Sequence, residues 1–359
     1  MDFTEAIKLA PDLASAYILR GRALYAGVSK VTNISANFGG VSVLSTGGKS
    51  TAEQTRAFNA AIADFTQAIK LDPDNDAAYE GRGHAYANKG DYDKAIADLN
   101  QVIRLDPNNA VAYSNRGLAY TEKADYDRAI ADYTQAIRLD PKDAVAYANR
   151  GNQYGMKGDY DRAIADLNQA IRLDPNYAPA YSDRGTTYFN NKGDYDKAIA
   201  DYNQAIKLDP NYALAYTNRG LAYVRKGDYD RAIADFTQVI RLDPNNAGAY
   251  SFRGDAYYYK GDKDRAIADF TQVIRLDPNY AVAYTNRGLA YVRKGDYDRA
   301  ITDFTQVIKL DANNATAYIN RGATYYDKGD YNRAIADFEA ALRIDPNDTY
   351  ASNVNKLRI

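Results

Sequence analysis

Residues able to do acid-base, nucleophilic or metal chemistry are scarce in this chain. It has one histidine, His84, and no cysteine, which excludes thiol nucleophiles, zinc-thiolate sites and disulfides and leaves imidazole chemistry a single candidate. With no second ligand beside it in the pattern, His84 reads as an incidental surface residue, and no metal or organic cofactor is expected. No glycine-rich phosphate loop and no nucleophile with its base can be assembled, because nearly every polar residue recurs at a fixed interval. The chain therefore reads as non-catalytic. Its 45 basic and 47 acidic residues leave a net charge of -2, too small a field to gather nucleic acid or an anionic membrane. What the polar residues can do is pair with one another and hydrogen-bond a partner.

The interval explains how they are positioned. Asp72, Asp106, Asp140, Asp174, Asp209, Asp243, Asp277, Asp311 and Asp345 lie 34 residues apart, once 35, and all but Asp311 precede proline. A fixed period of this length signals an array of supersecondary units. Complete units begin at Ala14, Asp76, Ala110, Ala144, Ala178, Ala213, Ala247, Ala281 and Ala315. Numbered from those residues, positions 4, 7, 8 and 11 (Tyr113, Arg116, Gly117, Tyr120) and positions 20, 21, 24, 27 and 28 (Ala129 to Ile137) each follow helical spacing. Lys-Gly-Asp-Tyr between them predicts a left-handed glycine turn and an Asp cap, and proline at position 32 ends the second helix. Gly at 8 and Ala at 20 read as the close approach of the two helices, and the Ala at position 3 of every unit as the contact with the neighbouring hairpin. Tyrosine, at 34 residues against 10 Phe and no Trp, supplies much of the packing bulk.

An aromatic at 4, Gly at 8, Tyr at 11, Ala at 20, an aromatic or Leu at 24, Ala at 27 and Pro at 32 resemble the tetratricopeptide repeat. The likeness covers residues 1–26 and 56–359. It departs at Arg in position 7, at Val102, Val239, Val273 and Val307 in position 27, and at Ala312. The resemblance implies an all-α solenoid, a right-handed superhelix of stacked helix-turn-helix repeats. Residues 1–13 match a second helix alone. Repeat 1 spans 14–75 with an insertion at about 27–55, and repeats 2 to 9 span 76–109, 110–143, 144–177, 178–212, 213–246, 247–280, 281–314 and 315–348. Residues 349–359 fill a first-helix slot. In the insertion, Val28, Val31 and Ile34 alternate with polar residues, which allows a short β hairpin or a loop.

Arg stands at position 7 and Asp at position 23 of every unit, from Arg20 and Asp64 to Arg321 and Asp337. In an antiparallel hairpin these positions nearly face each other, so Arg-carboxylate pairs are expected within each hairpin or to the adjacent one. A second stripe on the first helix, positions 2, 5, 6, 9, 12 and 13, points away from the hairpin partner and would line the concave wall of a superhelix. Position 6 is Asn115, Asn149, Asn218, Asn286 and Asn320, similar to the asparagine ladders with which tetratricopeptide proteins grip an extended peptide backbone; an amide donates and accepts at once. Leu118, Leu221, Arg225, Leu289 and Arg293 flank them. Gly81, Asp183 and Phe252 interrupt the row, and Asp255 and Asp327 add negative charge. The alternative is a solvated face that favours Asn and Arg.

The expected function is a protein-protein interaction scaffold with a peptide-binding groove. The alternatives are a self-assembling protein, whose terminal half-repeats dock head to tail into filaments, and the targeting arm of a larger enzyme. Partners are then a protein, a peptide or copies of the same chain. No apolar run is long enough for membrane insertion, and no export signal is visible, which leaves the compartment unassigned.

Overall fold

The computed structural model describes residues 3–29, 52–191 and 193–347. Among them every regular element is an α-helix. The chain divides into two compact units, Met1–Pro210 and Asn211–Ile359. In the first, α1 (Phe3–Leu9) precedes the hairpins α2 (Ala14–Ser29) with α3 (Ala52–Leu71), α4 (Asp76–Asn88) with α5 (Tyr92–Leu105), α6 (Ala110–Glu122) with α7 (Tyr126–Leu139), α8 (Ala144–Met156) with α9 (Tyr160–Leu173) and α10 (Ala178–Asn190) with α11 (Tyr195–Leu208). The second holds α12 (Ala213–Arg225) with α13 (Tyr229–Leu242), α14 (Ala247–Lys260) with α15 (Lys263–Leu276), α16 (Ala281–Lys294) with α17 (Tyr297–Leu310) and α18 (Ala315–Asp327) with α19 (Tyr331–Ile344). Within each unit a helix packs against its successor, so a second helix is shared between its own hairpin and the next. This is the all-α solenoid that the period predicts.

The helix ends follow the punctuation in the sequence. Asp125, Asp159, Asp194, Asp228, Asp262, Asp296 and Asp330 cap the second helices by accepting a backbone N–H three residues on, which satisfies one of the orphan donors of a first turn. At the other end Asp106 is extended, with φ -130°, and the proline after it prevents the helix from continuing. The glycine of each connecting turn adopts positive φ, but in the α6–α7 turn this place is taken by Ala124, at φ 56°.

The core is small at the helix crossings and bulky between them. Alanines at position 3, such as Ala78 and Ala180, are fully buried and pack against the preceding hairpin, Ala78 with Phe65 and Ala68 and Ala180 with Leu167 and Ala170. The reason for glycine at position 8 differs from the expected one. A Cβ on Gly220, Gly254 or Gly288 would stand 2.7–2.8 Å from the position-24 ring of Phe236, Phe270 or Phe304. Only where position 24 is leucine is the nearest atom the position-20 carbonyl, at 3.5 Å from Gly83 and 3.1 Å from Gly151. The ring of the second helix, more than its alanine, demands the glycine.

The first hairpin also departs from expectation. Val28 belongs to α2, which runs through Ser29, and α3 starts at Ala52 and has 20 residues where other second helices have 14. The Lys-Gly-Asp-Tyr stop is missing here, so the helix continues into the insertion. The rest of that insertion, residues 30–51, and the C-terminal half-repeat, residues 349–359, with its expected head-to-tail docking lie outside the described residues.

Candidate interaction surface

The charged residues sort into a structural seam and an outward stripe. In the seam, each Arg at position 7 grips the Asp at position 23 of its own hairpin through two hydrogen bonds. Nε donates to Oδ2 at 2.7–2.9 Å and Nη2 to Oδ1 at 2.6–2.8 Å, from Arg20 with Asp64 to Arg321 with Asp337. All nine carboxylates are buried. Where a hairpin precedes within the same unit, the remaining guanidinium nitrogen reaches its position 25, as in Arg82 to Thr66 at 3.1 Å, Arg116 to Asn100 at 2.6 Å and Arg287 to Thr271 at 3.0 Å. The guanidinium also lies over the tyrosine at position 4, with Arg116 5.4 Å from the Tyr113 ring centre. The bound carboxylate pushes Arg82, Arg116 and Arg150 above the usual arginine range. Burial pushes Asp235 and Asp303 up in spite of their arginine partners. A fork that satisfies two hairpins at once fixes register within one and spacing to the next.

A second ladder escaped the sequence reading. Lysines at position 14 bridge to Asp at position 18 of the hairpin before, pairing Lys123 with Asp93, Lys157 with Asp127, Lys260 with Asp230, Lys294 with Asp264 and Lys328 with Asp298. These pairs are solvated and each contributes little to stability. The signal was present in the recurring Lys and Asp; the offset of one hairpin between them was not.

On the stripe, Asn115, Asn149, Asn218, Asn286 and Asn320 are all half-buried, as are Leu118, Leu221 and Leu289, while Arg225 and Arg293 are exposed. Positions 6 and 9 of successive first helices meet. The Asn115 amide donates to His84 Nε2 at 2.8 Å, and Asn286 donates to the Asp255 carboxylate at 3.0 Å. His84 is therefore an orienting partner and not an incidental surface residue; burial lowers its pKa and keeps the imidazole a neutral acceptor. Leu221 and Phe252, at the same two positions, both pack on an apolar cluster that contains Phe236. Asn149 and Asn320 make no side-chain hydrogen bond among the described residues, and the Arg293 guanidinium stacks 4.0 Å from the Tyr258 ring centre. Asp183, the carboxylate that interrupts the row, is hydrogen-bonded by Asn152, and burial pushes it up to about 7; Asp255 is pushed up to about 6 for the same reason.

No helix among the described residues is long and apolar enough to cross a membrane. Residues 57–90, 83–123, 151–192 and 189–227 match a family model described as a TPR repeat. Residues 217–281 with 285–349, 110–143 and 132–165 match three models described as the tetratricopeptide repeat. A search among curated proteins gives no match. Among solved structures the chain is similar to YrrB, described as a TPR protein with an unusual peptide-binding site, at 25% identity and a TM-score of 0.46 over 53% of this chain and 97% of that one. It is also similar to the APC/C hetero-tetramer Cut9-Hcn1, at 21% identity and a TM-score of 0.50 over 85% of this chain and 59% of that one. The human IFIT1 dimer with PPP-AAAA matches at 17% identity and a TM-score of 0.51, over 81% of this chain and 72% of that one. The last two share the fold.

Proposed function

The chain belongs to the tetratricopeptide repeat family, and from that premise we propose that it is a non-catalytic scaffold that holds an extended peptide of a partner protein along the first-helix stripe. Asn149 in the first unit and Asn320 in the second offer the peptide backbone a donor and an acceptor each. Asn115 and Asn286 are held in orientation by His84 and Asp255, and Asn218 is a further amide at the same repeat position in the second unit. Leu118, Leu221 and Leu289 supply apolar contact beside the amides, and Arg225 and Arg293 supply positive charge.

The observation that carries this reading is the amide row within each unit: half-buried side chains at one repeat position, of which Asn149 in the first unit and Asn320 in the second make no side-chain hydrogen bond among the described residues. A polar group so placed gains a hydrogen bond when a peptide arrives and displaces water. The test is selection from a random peptide library on the full chain, followed by titration of the winners. Replacing Asn149 and Asn320 together by Ala removes one hydrogen bond from the stripe of each unit and is expected to weaken binding about fivefold, with the far-ultraviolet circular dichroism unchanged. Undiminished affinity in that variant would remove the groove.

A further inference from the structure

Position 24 is a ring in most hairpins and leucine in two, Leu99 and Leu167. Where it is a ring, it fills the space between positions 9 and 12 of its own first helix and positions 6 and 10 of the next. Phe236 thus packs on Leu221, Val224, Phe252 and Ala256. Cavities open beside both leucine hairpins. One, of about 30 Å³, lies among Asn152, Asp183 and Thr187. The other, of about 300 Å³, lies between α4, α5 and α6, beside Tyr25 of α2. The larger has the size of a small ligand site, ~300 Å³ being the lower bound of that class, and suits one side chain far better than a helix.

The lining of this pocket is specific. Its floor is apolar, with Leu99 and Leu118. Its rim carries Tyr25, Tyr92, His84 and Glu122. Glu122 is the one carboxylate in this lining. Burial lowers the His84 pKa and keeps the ring neutral, and the tyrosines are raised, Tyr92 by burial and then by the Glu122 carboxylate. Glu122 accepts a hydrogen bond from the Tyr92 hydroxyl at 3.2 Å and has no cationic partner among the described residues. Lys123, its neighbour in sequence, is held by Asp93 instead.

We infer that this pocket takes the side chain of an arginine or lysine of the bound peptide, its aliphatic stem on Leu99 and Leu118 and its cationic head at Glu122 between tyrosine rings. Long basic side chains bury their stems and keep the head at a polar rim, and a cation gains from both a carboxylate and an aromatic face. The inference rests on the groove reading for the identity of the occupant, but the pocket can be tested without a peptide.

The probe is N-acetyl-arginine amide, titrated into the full chain while the methyl resonances of Leu99 and Leu118 are followed by NMR. Saturable shifts are expected, with the neutral citrulline analogue about fivefold weaker and the glutamate analogue without effect, and with the arginine affinity falling as salt is added. Glu122→Gln should erase the preference for arginine over citrulline. Leu99→Phe should abolish binding, since it installs the ring that five other hairpins carry as Phe65, Phe236, Phe270, Phe304 and Phe338, opposite a glycine at position 8 that has room for it. Equal binding of arginine and citrulline to the unmodified chain, absence of saturation, or arginine binding that survives in a folded Leu99→Phe chain would each overturn the assignment. Should Leu99→Phe fail to fold, the citrulline and Glu122→Gln arms decide alone. If peptide binding ignores Asn149 and Asn320 while arginine still saturates the pocket, the groove reading falls and the pocket stands.

Discussion

At positions 7 and 23 the same two residues stand in all nine hairpins, whereas at positions 6, 9 and 13 no single residue type does. Both sets sit on the same repeated helices, so the difference lies in what surrounds them. A seam arginine such as Arg82 is held from three sides, by its own Asp, by position 25 of the hairpin before, and by the tyrosine ring at position 4. A substitution there leaves a buried carboxylate without a partner. The stripe residues meet protein on one side only, through the contact of position 6 with position 9, and these positions accept an amide on imidazole, an amide on carboxylate or a leucine and a phenylalanine on one apolar cluster. Invariance marks where geometry is closed, and variation marks where a partner can be chosen.

Breaking the seam should cost most. Arg150→Leu leaves Asp166 buried beside an apolar side chain, which is expected to remove about 4 kcal/mol. Arg150→Leu combined with Asp166→Leu should recover most of that loss, because no charge is then stranded. Urea unfolding of the two variants with the wild type and Asp166→Leu completes a cycle; simple additivity would mean that the pair is not a unit. A stripe change such as Asn149→Ala, measured the same way, should move stability by less than about 0.5 kcal/mol.

The glycines sharpen the contrast within the core. At Gly220 an added Cβ would meet the Phe236 ring at 2.7 Å, while at Gly83 the nearest atom is 3.5 Å away. Gly220→Ala is therefore expected to destabilise by about 3 kcal/mol through overpacking, and Gly83→Ala to be neutral or slightly stabilising, since alanine is the better helix former. Thermal unfolding distinguishes them, and equal losses would show that position 20, and not the position-24 ring, sets the crossing distance.

These pairs also show how far the sequence could be read. The period, the punctuation of the turns and the facing of Arg and Asp follow from spacing alone, because helical geometry converts spacing into direction. Which atoms meet across two helices does not, and so position 20 stood in for the ring at position 24. The third arginine contact left a trace that went unread. Position 25 is Thr or Asn in Thr66, Asn100, Thr134, Asn168, Asn203, Thr237, Thr271 and Thr305, each of which is followed one unit on by Arg, and is Glu339 where Asn355 takes that place. The stripe was legible as a surface but not as a set of pairs, because the meeting of His84 with Asn115 depends on the offset between successive hairpins. The pocket at Leu99 was legible only as a missing ring.

Asp183 tests the stripe through pH. Its carboxyl is pushed from 3.8 up to about 7 by burial, with the Asn152 hydrogen bond opposing; burial raises Tyr177 and Tyr202, and the nearby Asp183 charge adds to that. A raised carboxyl pKa means that the folded chain binds the proton more tightly than the unfolded one. Its contribution is fully present below pH 3.8 and is lost as pH rises through about 7. Asp183→Asn, which installs the residue of five other repeats, should stabilise by about 2 kcal/mol at pH 8 after allowance for partial solvation, and by nothing at pH 3.5. A gain independent of pH would assign the effect to packing.

The smallest expected effect concerns a single turn. Seven connecting turns use glycine at positive φ, and the α6–α7 turn uses Ala124 at φ 56°. A left-handed conformation costs an alanine roughly 1 kcal/mol that glycine does not incur, and glycine's looser unfolded chain returns part of the difference. Ala124→Gly is expected to stabilise by about 0.5 kcal/mol, seen most clearly as slower amide exchange in α6 and α7, because an array of repeats opens locally before it unfolds as a whole. The turn follows directly on Glu122, the last residue of α6, and connects the helices that carry the seam pair of Arg116 and Asp132. If slower exchange in α6 and α7 accompanies unchanged arginine affinity at the pocket, the turn and the rim residue beside it are energetically separate; if the affinity rises with it, the turn's strain is felt at the stripe.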